Sequence, residues 1–443
     1  MYSNCTNIAK FFPFIFSALV DKLECQDLEG YNTLPEEMRP NPCQKPQKVI
    51  KITEPCEAIR ILYIKLLQTI VYAEYDKDQI RIFIQDVVNI TRTLAMDPNP
   101  DVILTALDFM QKISIHLKEL LFYFNSILAR SLYLSLTHRQ SKLRVVGLEA
   151  LEKLMYLSPF KKNIEIMEQM IGFRDPNLVP IKDFYEPTAK INYFALLSGD
   201  TSSQVLRKFY ETITNWLLHV DDRFDHECRL LPYIITGLFL ENHEEIGLFV
   251  NERMEAIGIL YEKDNEKEIR EDIQYGIDAK WIDLCGARSS NNINENGKVS
   301  WLYYPFPLSG RPRLGCRYLM RKYIRRYIKS LCKEFDCIEE SIRKKCANLL
   351  FFSIVYCEDH ITEFLDQTLL CYERELVKYS NYINAPGGKA KMLTSKEIVE
   401  PIFKSLRMIG RFCDFEAIAK IIYPTIDVIK FNDIKIFQTI HQF

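Results

Sequence analysis

The densest group of reactive side chains is His219-Val220-Asp221-Asp222-Arg223-Phe224-Asp225-His226-Glu227-Cys228, with two histidines, three aspartates, a glutamate and a cysteine in ten residues. These are the residue types of a metal centre or an acid–base pair. The histidines stand seven apart, however, and not at the i, i+4 spacing that converges on zinc from one helix face. Asp225 falls where the cap of a helix starting near Arg229 would sit. The stretch reads as a capped corner between helices, with Asp221, Arg223 and Asp225 as turn residues. Asp175, Pro176 and Asn177 form a second expected turn, in which proline presets one backbone angle and its polar neighbours cap.

Other arrangements are weaker. Gly387-Gly388-Lys389 has the ending of a phosphate loop, but the first glycine of that motif would fall at Ile383, and Ala390 follows the lysine. The sequence contains no Gly-x-Ser-x-Gly elbow, no His-Glu-x-x-His and no dinucleotide fingerprint, so the expectation is a non-catalytic protein without cofactor or metal. Thirteen scattered cysteines, an odd number without any Cys-x-x-Cys pair, suggest reduced thiols buried as small hydrophobes in a cytoplasmic protein.

Charge has one organised stretch. From Arg311 to Lys333 there are nine basic residues and no acidic one. On a helical wheel Leu319, Met320, Tyr323, Ile324, Tyr327, Ile328 and Leu331 share one half, and Arg321, Lys322, Arg325, Arg326, Lys329 and Lys333 the other. The apolar half is expected to pack inward. Arg317, Arg321, Lys322, Arg325, Arg326 and Lys329 are the candidates for contact with an acidic protein partner, and reversing Arg321, Arg325 and Lys329 to glutamate should leave the fold intact. A formal net charge of -2 gives no global field to select nucleic acid.

The elements that must carry these residues are helical. Setting Val102 against Leu143 aligns Ala106 with Gly147, Leu107 with Leu148, Met110 with Leu151 and Ile113 with Leu154, an offset of 41 along one helix face. A polar break precedes each helix: Asp97-Pro98-Asn99-Pro100-Asp101 and Thr137-His138-Arg139-Gln140-Ser141. The template recurs at Ile246, Val250, Met254 and Ile257, and again at Ile342, Cys346, Leu350 and Ser353. Hairpins with a small residue mid-helix and this period bury their faces by stacking, which predicts an all-α HEAT-repeat α-solenoid and disfavours shorter tetratricopeptide or ankyrin repeats. With 48% hydrophobic residues and only 15 glycines the chain has enough apolar surface to fold and little sign of sheet.

The expected order is a HEAT array over 1–282 with an inserted Pro-rich loop at 30–56 and an irregular segment at 172–200. A linker over 283–311, Asn-rich at 289–297, and a second array over 312–443 follow. The apolar run Phe11–Val20 lacks the basic start and cleavage site of a signal peptide, and no run reaches the roughly 20 residues of a membrane span. The sequons at Asn4 and Asn89 therefore read as incidental.

Longer strings are more specific than periodicity. Leu34-Pro35-Glu36-Glu37-Met38-Arg39-Pro40 with Gln44-Lys45-Pro46, Ile171-Gly172-Phe173-Arg174-Asp175-Pro176-Asn177, Lys182-Asp183-Phe184-Tyr185-Glu186-Pro187, Asp221-Asp222-Arg223-Phe224-Asp225-His226-Glu227 and Arg311-Pro312-Arg313-Leu314-Gly315 resemble the HEAT-repeat dynein axonemal assembly factors. The resemblance implies a cytoplasmic, non-catalytic scaffold for preassembly of ciliary outer and inner dynein arms. Its implied partners are axonemal dynein intermediate or heavy chains, other assembly factors and chaperones, with no nucleic acid and no membrane. Family members extend further at both ends, so this sequence is expected to be a short or truncated form, and the Asn-rich stretch is a local departure. A transport-receptor or tubulin-binding HEAT array would share the periodicity without these strings.

Overall fold

The computed structural model describes residues 10–23, 54–72, 77–157, 162–171, 192–274, 304–383 and 395–426. Helices dominate and no strand occurs among these residues. No helix among them is long and apolar enough to cross a membrane. The turn at Asp175, Pro176 and Asn177, the Asn-rich stretch, the loop at 385–389 and all but the last three residues of the Pro-rich loop lie outside the described residues. The chain divides into two compact units, Met1–His226 and Glu227–Phe443, a boundary well before the expected one at 282.

The first unit contains α1 (Phe12–Leu23), α2 (Glu57–Tyr72), α3 (Lys77–Arg81), α4 (Ile84–Ala95), α5 (Pro100–His116), α6 (Lys118–Leu121), α7 (Asn125–Arg130), α8 (Tyr133–Leu136), α9 (Ser141–Met155), α10 (Lys162–Ile171), α11 (Tyr193–Ser198) and α12 (Ser203–His219). Helices α2, α5, α9 and α12 stack side by side in that order, and α4, α8 and α11 pack on the row from the preceding arm of each hairpin. The start of α5 follows from its sequence: Asn99 in extended conformation accepts from Asp101 N, and Pro100 occupies the first turn, where no N–H is needed. The aligned faces are the core. Val102, Ala106, Leu107, Met110 and Ile113 on α5, and Leu143, Gly147, Leu148, Leu151 and Leu154 on α9, are all buried. A Cβ on Gly147 would lie 2.6 Å from Ser135 Oγ, so the glycine sets the approach of α8 to α9. Within the segment expected to be irregular, Tyr193–Ser198 is helical. Asn192 caps it, and Phe194 packs between Phe209 and Trp216 of α12.

A buried polar link joins α9 to α12. Glu152 accepts from Lys208 Nζ and Asn215 Nδ2, both at 2.9 Å. Burial raises the pKa of Glu152, but those hydrogen bonds and the Lys208 charge more than offset it and leave the pKa below the ordinary 4.5. A carboxylate whose pKa is lower folded than unfolded adds stability above its unfolded value, and that stability is lost as pH falls through the folded one. Stability of the first unit should therefore be flat at neutral pH and fall below about 4.5. Denaturant midpoints measured against pH check this: Glu152→Gln should be less stable than wild type at neutral pH, with the gap closing in acid.

The second unit contains α13 (Glu227–Gly237), α14 (Glu244–Asp264), α15 (Glu266–Gln274), α16 (Leu314–Glu334), α17 (Glu340–Cys357), a 3-10 turn (Glu358–Phe364), α18 (Leu365–Ile383), α19 (Lys396–Phe412) and α20 (Phe415–Ile426). Here α14, α16, α17 and α19 form the stacked row. Ile246, Val250, Met254 and Ile257 are buried on α14. On α17 Cys346, Leu350 and Ser353 are buried while Ile342 is only half-buried. The end of the expected linker is part of this unit, because Leu308 is buried and Arg311 pairs with Glu358. Helices α14 and α16 meet at two glycines, and a Cβ on Gly315 would lie 2.1 Å from the Gly258 carbonyl oxygen. Backbone cannot yield as a side chain does, so Gly315→Ala should cost at least the roughly 1–3 kcal/mol of ordinary overpacking. A thermal melt of the variant tests this, and an unchanged midpoint would mean that the helices do not approach so closely.

Candidate functional site

The basic helix is best understood from a residue that recurs in other repeats. The fourth residue of α2 is Arg60 and that of α9 is Arg144. Arg60 donates to the carbonyls of Glu54 and Pro55, just before its own helix, and makes a two-pronged pair with Asp97 at 2.7 and 3.1 Å. Arg144 repeats this with the carbonyls of His138 and Arg139, and with Asp200 at 2.7 and 2.9 Å. Each aspartate also accepts the backbone N–H two residues on, Asp97 from Asn99 and Asp200 from Ser202, which shapes the corner before the next stacked helix. One arginine thus fastens its own loop to the next repeat through charge-assisted, geometrically fixed bonds.

Between these two repeats both partners change together. The fourth residue of α5 is Ile103, which is buried, and the corner position before α9 is His138 in place of an aspartate. His138 Nδ1 accepts from Gln140 N. Burial and the charges of Arg139 and Arg144 lower its pKa, which keeps the acceptor lone pair available. No charge is left buried alone, which would be costly.

The same position in α16 is Arg317. It is buried, donates to the Pro312 carbonyl just before its helix, and reaches Glu358 Oε2 at 3.1 Å. Arg317 is therefore the internal arginine of its repeat and not a partner-binding residue, a correction to the sequence expectation. Glu358 is completely buried at the end of α17 and has a positive φ of 53°. Arg311 holds it with two bonds of 2.6 and 2.7 Å, and Arg321 Nη2 lies 3.3 Å away. Arg321 also donates to the Cys357 carbonyl and pairs with Asp359. It too is engaged internally, so reversing its charge would set a carboxylate beside two others and not leave the fold intact.

Lys322, Arg325, Arg326 and Lys329 face outward, as does Lys333. Lys322 lies over the rings of Tyr261 and Tyr323, and Arg326 over Tyr323. The Tyr323 hydroxyl donates to Glu227 at 2.6 Å, and burial together with that bond pushes its pKa far up. Glu227 also lies 3.6 Å from Lys322, and Arg325 pairs with exposed Glu363 at 2.9 Å. Lys329 and Lys333 have no ion pair among the described residues.

The corner at 219–228 is a 3-10 turn over Arg223–Asp225, with Asp221 and Asp225 exposed and Arg223 lying over the Phe224 ring. The next helix begins at Glu227, two residues earlier than expected. What organises the corner is a buried pair outside the named turn residues: His226 Nε2 meets Asp222 at 3.2 Å, and Asn163 donates to the other Asp222 oxygen at 3.1 Å. The i, i+4 spacing of Asp222 and His226 was the available signal. Among the described residues no three His, Cys, Asp or Glu side chains are grouped as a metal ion would require. Cys316, Cys332, Cys346, Cys357, Cys371 and Cys413 are buried and unpaired by disulfide.

Compared with known families, the chain matches a model described as "Dynein axonemal assembly factor 5-like, TPR repeats" over residues 46–172 and 192–272. It matches a second, "Dynein axonemal assembly factor 5, HEAT-repeat domain", over 303–440. The first description names tetratricopeptide repeats where the aligned helices recur at an offset of 41, longer than the roughly 34 residues of that repeat. The chain is similar to dynein axonemal assembly factor 5 of Xenopus laevis, 20% identical over 84% of this chain and 37% of that protein. It is also similar to the Homo sapiens protein, 24% identical over 53% and 23%, and to the Mus musculus protein, 22% identical over 71% and 31%. The matched stretch is thus well under half the length of each relative.

Proposed function

Because the chain belongs to the dynein axonemal assembly factor 5 family, we propose that it is a non-catalytic HEAT-repeat scaffold for cytoplasmic preassembly of axonemal outer and inner dynein arms. Its stacked hairpins hold dynein intermediate or heavy chains, or their chaperone-bound intermediates, in company with other assembly factors. The observation that carries this reading is the match of two models of one family, which between them take in most of both units. The buried thiols of Cys316 and Cys346 agree with a structural role. Burial drives Cys316 well above its ordinary pKa and Cys346 up to about 12, which removes the thiolate that nucleophilic chemistry would need. Depleting the protein from ciliated cells tests the role: axonemes in cross-section should lose both rows of arms, and return of this chain should restore them. Normal arms in its absence would refute the proposal.

A further inference from the structure

We propose that the outward side of α16 is a docking strip for an acidic helical segment of a partner protein, formed by Lys322, Arg325, Arg326, Lys329 and Lys333. The structure sorts the basic residues into two sets. Arg311, Arg317 and Arg321 are turned inward onto Glu358. The other five occupy positions i, i+3, i+4, i+7 and i+11, which place them within about 100° of one another along roughly 16 Å of helix. Successive rows of such a strip are about 5–6 Å apart, the spacing of carboxylates at i and i+4 on a second helix.

Internal roles account for only part of the strip: Lys322 lies 3.6 Å from buried Glu227 and Arg326 donates to Cys228 Sγ at 3.4 Å, but Lys329 and Lys333 have no ion pair among the described residues. The helix dipole favours cations in the last turn, where Lys333 sits, but Lys322, Arg325 and Arg326 lie two turns or more before the end. Glu363, the counter-charge of Arg325, is itself exposed, and exposed pairs are weak because water screens them, so a partner's carboxylate can replace it. Two of the cationic groups are already positioned. Lys322 and Arg326 rest on the Tyr323 ring, whose hydroxyl is anchored on Glu227, so less side-chain freedom is lost on binding. The same tyrosines argue against single-stranded nucleic acid. Tyr261 and Tyr323 are buried beneath the cations and offer no face on which a base could stack.

The proposal deepens the scaffold reading by naming the chemistry of what is held. Its test requires no dynein chain, so the two can fail separately. A fluorescein-labelled, glutamate-rich peptide of about four helical turns is titrated with the purified chain at low and at physiological salt. The expected result is saturable binding that weakens with salt and drops by about tenfold or more in Arg325→Glu/Lys329→Glu/Lys333→Glu. Lys65→Glu/Lys118→Glu/Lys142→Glu, which makes the same charge change in the first unit, should bind as wild type does. Carbodiimide coupling of the peptide to the wild-type chain, which does not depend on any variant's folding, should place adducts on Lys322, Lys329 and Lys333. Undiminished binding by the strip variant, adducts spread evenly over surface lysines, or equal affinity for a single-stranded oligonucleotide of matched charge or for anionic vesicles would each overturn the proposal.

Discussion

Replacing Glu358 with glutamine should lower the unfolding free energy of the second unit by about 3–5 kcal/mol, the usual cost of leaving buried charge without its partner. The carboxylate is completely buried and faces Arg311, Arg317 and Arg321 at 2.6 to 3.3 Å. An amide offers one acceptor oxygen in place of two charged ones and turns an N–H₂ group towards the guanidiniums. Of the cluster's acids only Asp359, half exposed and paired with Arg321, would then remain. Glu358 also stands at φ 53°, a conformation that costs a non-glycine residue about 1–3 kcal/mol and persists only where its surroundings enforce it. Glycine at 358 would relieve that strain yet still lose the charge, so Glu358→Gly should also be destabilised. Glu363→Gln, at an exposed pair, should stay within about 0.5 kcal/mol of wild type. Equilibrium denaturation of the three variants decides the matter. A Glu358→Gln protein as stable as Glu363→Gln would mean that the arginines do not depend on this carboxylate.

Leu151→Ala should cost roughly 2–5 kcal/mol, and Leu148→Ala a comparable amount. Both side chains are fully buried on α9, which packs against α5 on one side and α12 on the other. In a stacked array a cavity in a middle helix weakens two interfaces at once, and its lining cannot collapse without shifting neighbours that are themselves packed. Changes within about 0.5 kcal/mol for both would mean that the 41-residue alignment does not mark the stacking face.

The repeat was legible because helix period and burial are local properties: the residues aligned from Val102 and Leu143 are the buried ones. On α16 the apolar half was legible for the same reason. Which basic residues turn inward was legible only in part. At 100° per residue Arg317 lies about 140° from Lys322, on the apolar side, and it is the fourth residue of its helix, as Arg60 and Arg144 are of theirs. Both signals were present. Glu358 was not accessible, since no sequence spacing relates it to Arg311, Arg317 and Arg321, which lie 47, 41 and 37 residues before it, and only the stacking of α16 on α17 brings them together. Helix α11 escaped notice because six residues are too few to establish a period. The early unit boundary has the same origin as Glu358: it depends on which helices stack, and sequence composition marks only the later break.

Affinity capture of the tagged chain from the cytosolic fraction of ciliated cells, with the bound proteins identified by mass spectrometry, tests the central claim most directly. The scaffold account predicts axonemal dynein intermediate or heavy chains among the specific partners, together with chaperones or other assembly factors. Recovery of import cargo or tubulin with no axonemal dynein chain would contradict it.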